Sequence, residues 1–298
     1  MGAMRTIRKM LARQGGFTLI EAIMVIVITG VIAGMVAVFI RAPVEGYVDT
    51  RRRAALSDGA DTALRRILRD VRLALPNSVR VSGGVLEFIP LKGGGMYRHD
   101  DACFVAPGCS SLVSIGSLVA PGANGQPLAV TLGSDQLAIY NQYNNAGSDC
   151  NPASGIYSIY CGHGVATLAS PVPASAAGED TFSFATTTFL PPGGSPSGRF
   201  YVIPASPVTY ACDAAARQLK RYGGYVRQAA QPTNIAAAPL STAASITVLA
   251  DNVDCTAFEL DYIAGVSARF GLLTLTLTLT DSGETVTLMG EAHVDNAP

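Results

Sequence analysis

The longest apolar segment of the chain lies close to its amino terminus. Residues 17–40 are 24 positions with a single ionisable side chain, Glu21. As a helix that rises about 1.5 Å per residue, this segment is roughly 36 Å long, which exceeds the bilayer hydrocarbon core of about 30 Å. A cleaved secretory signal instead has an apolar stretch of about 7–15 residues and a small-residue cleavage site soon after it. The pattern therefore predicts a transmembrane helix.

A one-sided helical pattern follows over residues 41–75. Apolar residues recur at spacings of four and three, which places them on one helical face, and charged residues fill the remaining positions. Pro43 and Gly46 predict a kink or an unwound turn between the two helical patterns, and Pro76 ends the second one. The residues of the apolar face are Ala60, Leu64, Ile67, Val71 and Ala74.

After Pro76 the pattern becomes that of short strands. The final part of the chain is the clearest case, because leucines at 273–279 alternate with threonines up to the turn 281–283, which predicts a hairpin with one buried face. The expected fold is α+β: a long amino-terminal helix packed on an antiparallel β-sheet head, residues 76–298. Other runs rich in β-branched and aromatic residues predict strands at 85–89, 137–140, 181–185, 200–203, 208–212, 246–249 and 257–262.

Composition and charge argue against two classes of protein, disordered chains and nucleic-acid binders. The chain is 49% hydrophobic and 14% charged, which excludes a solvated disordered protein. It has 21 basic and 22 acidic residues, so binding to nucleic acid through bulk positive charge is not expected. Basic residues are equally frequent on both sides of the apolar segment and leave its orientation undecided.

The cysteines decide the orientation. All six follow the apolar segment and none forms a C-x-x-C pair, which favours disulfides in an oxidising compartment and places the head in the periplasm. Six cysteines allow fifteen connectivities. Sequential pairs close short loops and are the expected ones: Cys103–Cys109, Cys150–Cys161 and Cys212–Cys255.

Residues 16–21, Gly-Phe-Thr-Leu-Ile-Glu, follow a short basic leader and open the apolar segment. This motif resembles the signal of type IV pilins and of type II secretion pseudopilins. The resemblance implies a leader at residues 1–16, cleavage between Gly16 and Phe17 by a prepilin peptidase, and N-methylation of Phe17. It also implies that residues 17–40 pack into a filament core, where Glu21 neutralises the Phe17 amine of a neighbouring subunit. The alternative is that the Glu21 carboxylate extends to the lipid headgroups and has no role in assembly.

Two further tracts resemble minor pilins of the mannose-sensitive haemagglutinin (MSHA) pilus: residues 210–213 together with 219–222, and residues 272–298. The resemblance implies a minor subunit near the filament tip that initiates or caps assembly. The implied partners are major and minor pilins, the prepilin peptidase and N-methyltransferase, an inner-membrane assembly platform, and lipid before assembly. The implied location is the inner membrane, then the pilus. A J-like pseudopilin of a secretion system and a tip adhesin are the alternatives.

Motifs for catalysis or cofactor binding are not found in the sequence. It has no P-loop, no G-x-S-x-G and no H-E-x-x-H, so no enzymatic activity, cofactor or metal is expected. Asp100-Asp101 and the acids at 251–254 are interpreted as turns rather than calcium ligands, and Cys161-Gly162-His163 as a disulfide beside a loop histidine. Four tyrosines are interpreted as core and turn residues rather than a glycan platform: Tyr140, Tyr143, Tyr157 and Tyr160.

The motif predicts the start of the mature protein. We expect cleavage between Gly16 and Phe17 and an N-methylated Phe17 terminus. Intact-mass measurement on protein extracted from membranes tests this. A mature chain that retains Met1, or one that begins after Ile40, would contradict the filament hypothesis.

Overall fold

A computed structural model describes residues 16–118, 128–144, 150–155, 157–169, 179–264 and 270–296. Of the expected leader, only Gly16 lies within these ranges. The chain forms two compact units, Met1–Arg52 and Arg53–Pro298, so the boundary between them falls inside the long helix. The residues that follow this boundary therefore belong to the head.

The helix α1 spans Leu19–Arg72, 54 residues, with Pro43 inside it. The backbone stays helical through Pro43 and Gly46, so the helix has no unwound turn at the place where the sequence pattern predicts one or a kink. Local side chains support this stretch: Arg41 pairs with Glu45 at 2.7 Å, and the Thr50 hydroxyl donates to the Gly46 carbonyl at 2.8 Å. These contacts help to offset the backbone hydrogen bond that Pro43 cannot make.

The head contains three antiparallel sheets in the described residues, with strand orders β1-β2-β9-β10-β11, β12-β13-β14 and β6-β5-β8-β3-β4-β7. Three short 3₁₀ helices lie at Asp101–Phe104, Pro152–Ser154 and Ile159–Cys161. The strands are β1 Arg80–Ser82, β2 Val85–Phe88, β3 Gly93–Tyr97, β4 Cys109–Ile115, β5 Gln136–Ile139, β6 Val165–Thr167, β7 Thr181–Thr187, β8 Arg199–Ile203, β9 Val208–Asp213, β10 Gln218–Gly223, β11 Ser245–Ala250, β12 Glu259–Ala264, β13 Phe270–Asp281 and β14 Glu284–Asp295.

The predicted fold class is confirmed, and every predicted strand is present. The sheet is divided into three because one helix face cannot cover so many strands, and each sheet needs its own apolar layer. Strands β1, β3, β4, β6 and β10 were not predicted. Strand β3 lacks the usual strand residues because it contains glycines. A Cβ atom at Gly94 would lie 2.7 Å from the Phe200 carbonyl of β8. Strand β10 has the sequence QLKRYG, in which charged residues interrupt the pattern typical of a strand.

The largest apolar cluster packs the carboxyl half of α1 against two sheets. Leu64, Ile67 and Val71 meet buried side chains of the five-stranded sheet, such as Tyr210, and the alternating leucines of β13. A Cβ atom at Gly290 would overlap Leu64, so this glycine lets β14 approach the helix closely. The predicted apolar helix face and the predicted buried hairpin face thus form one core.

A polar contact accompanies this packing. The Tyr210 hydroxyl donates to Asp70 Oδ2 at 2.6 Å, and Arg221 Nε lies 3.8 Å from the same oxygen. Burial, together with the Asp70 charge, raises the pKa of Tyr210 well above its usual range, so the phenol remains a donor. Asp70 therefore connects the helix to the sheet through hydrogen bonding as well as through apolar contact.

The core packing generates a stability prediction. Ile67 is fully buried, so Ile67→Ala should lower the free energy of unfolding by about 2–5 kcal/mol. Its neighbour Arg66 is exposed, and Arg66→Ala should change it by less than about 0.5 kcal/mol. Denaturant unfolding of the full chain in detergent micelles, followed by near-ultraviolet circular dichroism, measures both. Equal effects of the two substitutions would contradict this packing.

Candidate functional site

The predicted processing segment lies at the start of α1. Residues 16–18 precede the helix, and Thr18 caps it: its hydroxyl oxygen accepts from the Glu21 backbone N–H at 3.3 Å. The Thr18 carbonyl accepts from the N–H groups of Glu21 and Ala22, each at 3.1 Å. The T-x-x-E spacing of Thr18 and Glu21 is that of a capping box, which is a local sequence signal for the start of a helix. Glu21 therefore also has a local position, in the first turn of a helix, where a negative charge is favourable.

The side chains of this segment are open to the surroundings. Phe17 is 76% exposed and Leu19 82%, and the large apolar side chains from there to Ile40 are all exposed. By length and composition, α1 is able to cross a membrane. A helix that is apolar on every side is stable in lipid or among other helices, not in water. The surface of residues 17–40 therefore needs a covering that is not part of the described chain.

Glu21 is the single acid on this apolar surface. Within the described residues its carboxylate has no cationic partner. Gly30 and Gly34 lie one helical turn apart with open space around them, which permits close approach of another helix. The arrangement thus offers one negative charge and a stripe with small residues to whatever covers the helix.

The basic residues that follow the apolar stretch are partly engaged. Arg52 pairs with Asp49 at 3.4 Å, and Arg51 lies 5.6 Å above the Tyr47 ring. In the head unit, Arg53 pairs with Glu284 of β14 at 2.8 Å. These contacts are exposed and contribute little to stability individually.

The acidic turns serve as caps. Asp100 Oδ1 accepts from the Ala102 N–H at 3.0 Å, and Asp254 Oδ1 accepts from the Thr256 N–H at 3.0 Å and its hydroxyl at 2.6 Å. The hydrogen bond from the Thr256 side chain lowers the pKa of Asp254. Across the part of the chain that the structure describes, no three His, Cys, Asp or Glu side chains cluster as a metal site would require.

The predicted tyrosines do not form one surface. Tyr160 is buried, with its hydroxyl donating to the Ser78 carbonyl at 2.7 Å, whereas Tyr143 is 46% exposed. Tyr157 packs edge-on against His163, with ring centroids 6.0 Å apart. The glycan platform considered for the four tyrosines is therefore not assembled, and His163 makes a ring contact beside the Cys150–Cys161 bond.

A buried ion pair was missed by sequence reasoning. Arg80 and Glu87 face each other across the β1–β2 hairpin at 2.6 Å, with side chains 3% and 0% exposed. Arg80 also stacks 3.6 Å above the Tyr160 ring, and the Tyr225 hydroxyl donates to the second Glu87 oxygen at 2.8 Å. Burial raises the pKa of Glu87, an effect that Arg80 opposes. The signal was the Gly-Gly pair at 83–84, a hairpin turn that sets these two residues opposite each other.

The structure contains three disulfides, Cys103–Cys109, Cys150–Cys161 and Cys212–Cys255, and no free cysteine among the described residues. The third connects β9, in the five-stranded sheet, to the turn that precedes β12. It closes the longest loop, with a separation of 43 residues. Because loop-closure entropy grows with loop length, this disulfide is expected to stabilise the fold most, and its own contribution is about 4 kcal/mol.

Peptide mapping under non-reducing conditions tests this connectivity. We expect these three pairs in protein extracted from membranes without reductant, because each pair of Cα atoms lies 4.5–5.6 Å apart. The same digest after reduction and alkylation is the control. Free thiols throughout the non-reduced sample, or any crossed pair, would contradict the pairing.

Comparison with known proteins adds one finding. The prokaryotic N-terminal methylation motif matches residues 11–37, which include the start of α1 and Glu21, the single acid of residues 17–40. No curated protein and no solved structure matches the chain. The chain thus carries, at the start of an exposed apolar helix, the N-terminal methylation motif of type IV pilins and pseudopilins.

Proposed function

We propose that this protein is a minor type IV pilin, a structural subunit that takes part in initiating or capping a pilus near its tip. One observation carries the proposal: the methylation motif lies at the beginning of a largely helical stretch, residues 17–40, whose large apolar side chains are all exposed. A filament core of neighbouring helices provides that cover after assembly, and lipid provides it before. The role is structural rather than enzymatic.

The proposal assigns a task to each part of the segment. A prepilin peptidase and N-methyltransferase cuts between Gly16 and Phe17 and methylates the new amine. The subunit waits in the inner membrane with its head in the periplasm, and an assembly platform then passes it to other major and minor pilins. Glu21 marks the register in the filament, because its charge is neutralised only when a neighbouring amine reaches the same depth.

The head supports a minor role in the MSHA pilus, similar to the minor pilin MshO. The tracts that carry this resemblance form the β9–β10 hairpin, with the Tyr210 contact to Asp70, and the β13–β14 hairpin up to Asn296. Both pack against α1, so the resemblance involves the strands that seat the helix. A head unit from Arg53 to Pro298 is large for a subunit that must repeat along a filament, which favours a terminal position.

Replacement of Glu21 tests the assembly role. Glu21→Ala should leave membrane insertion and cleavage intact, since the helix becomes more apolar and Gly16 is unchanged. Incorporation should fall by about tenfold or more, which corresponds to a lost interaction of at least about 1.4 kcal/mol. The measurement is the amount of the subunit in sheared pili divided by the amount in the membrane.

Two variants serve as controls. Glu45→Ala removes another acid of α1, one that already pairs with Arg41, and should incorporate normally. Glu21→Ala combined with Ala22→Glu restores an acid one position along, rotated by about 100°, and should not rescue incorporation. Normal incorporation of Glu21→Ala would mean that Glu21 has no role in assembly and that its carboxylate is only accommodated at the membrane surface.

A further inference from the structure

Arg227 stands in the segment after β10 and has an unusual position among the arginines of the head. Its Nη2 donates to the Gln136 side-chain oxygen at 3.1 Å. Its Nη1 is buried and has no hydrogen-bond partner within the described residues. Arg227 pairs with no carboxylate in that part of the chain.

The nearby carboxylate is already used. Glu87 accepts from Arg80 with one oxygen and from Tyr225 with the other. The Tyr160 phenol, which adjoins both arginines, stays neutral because burial raises its pKa well above the usual range. Among the residues that the structure describes, the group of Arg80, Arg227 and Glu87 therefore carries one positive charge more than its ion pairs balance.

By comparison, Arg221 is the other arginine with an unpartnered buried nitrogen, and it does have a counter-ion. Its Nε lies 3.8 Å from Asp70, which also accepts from Tyr210. Burial lowers the pKa of Arg227, and no acid in the described part of the chain opposes this effect. A guanidinium removed from water without an anion is unfavourable, and an anion bound beside it relieves that cost.

Space for such an anion adjoins the guanidinium. A pocket of about 390 Å³ is lined by Gln136, Tyr160, Ser206, Tyr225 and Arg227, together with the backbone at Gly162. Its volume lies in the range of small-molecule sites. It exceeds what a carboxylate alone needs and leaves room for a body of monosaccharide size. The Ser206 hydroxyl and the tyrosine rings give it both polar and apolar walls.

We propose that this pocket binds a sugar acid, with its carboxylate on the Arg227 guanidinium. The planar fork of arginine matches a carboxylate geometrically, and no acid of the described ranges pairs with this one. The hydroxyls of the ligand face Ser206 and the backbone at Gly162. The site lies entirely in the head and is independent of the processing segment, so it does not depend on the proposed filament role.

Calorimetric titration tests the site on the full processed chain in detergent micelles. D-glucuronate should bind saturably, whereas D-glucose, the uncharged counterpart, should bind at least about tenfold more weakly because it cannot pair with the guanidinium. Sodium sulfate should compete poorly. Sulfate that binds as well as D-glucuronate, or D-glucose that does, would overturn the assignment to a sugar acid.

Variants separate the site from the fold. Arg227→Gln should weaken D-glucuronate binding by about tenfold or more while thermal unfolding is unchanged or shifted upward, since it removes an unbalanced buried charge. Arg227→Lys keeps the charge but loses the planar fork, so its affinity for D-glucuronate should lie between those of the unmodified chain and Arg227→Gln. Arg65→Gln, an exposed helix arginine paired with Asp61, is the matched control and should bind normally.

A further variant covers the case in which Arg227→Gln fails to fold. Ala205→Phe fills the pocket from its wall and leaves the guanidinium in place. It should abolish D-glucuronate binding. Wild-type affinity in this variant would overturn the proposal, as would the absence of any binding to the unmodified chain.

Discussion

The contact between the carboxyl half of α1 and two sheets determines the form of the head. From Leu56 to Val71 the helix buries one face among side chains of the five-stranded sheet and of the β12–β13–β14 sheet. Neither sheet has another element of comparable size to cover these side chains. The helix is therefore the element around which the largest core forms, and Gly290 and the Asp70–Tyr210 bond set how closely the strands approach it.

The same helix meets a different requirement in its amino half. There the apolar side chains surround the axis rather than line one face, so no single sheet is able to cover them. One continuous helix thus changes from an all-round apolar surface to a one-sided one along its length. This change lets one secondary-structure element belong to a water-exposed head and, in the proposed filament, to a core of packed helices.

Sequence periodicity predicts most of this division, because both halves of α1 and the Leu-Thr hairpin repeat regularly. The methylation motif at Gly16–Glu21 is also readable directly, since it depends on a contiguous string of residues. Strand β3 is not predictable in this way, because its glycines are explained only by the close approach of β8. The pairing of Arg80 with Glu87 is predictable from the Gly-Gly turn, which sets the two residues opposite each other. The burial of Arg227 is not predictable in this way, because its surroundings come from distant segments.

Two charges of opposite sign lie at separate places in the described residues, one in the head and one in the apolar half of α1. In the head, Asp70 and Glu87 accept hydrogen bonds from neighbouring donors, and Arg227 pairs with no acid among the described residues. In the apolar half of α1, the Glu21 carboxylate pairs with no cation of the described ranges. A folded chain tolerates an unbalanced charge in a poorly solvated place only at a cost to stability. Each therefore marks a position where binding gains more from charge neutralisation than from added apolar contact: at Glu21 by an amine of another subunit, and at Arg227 by a carboxylate.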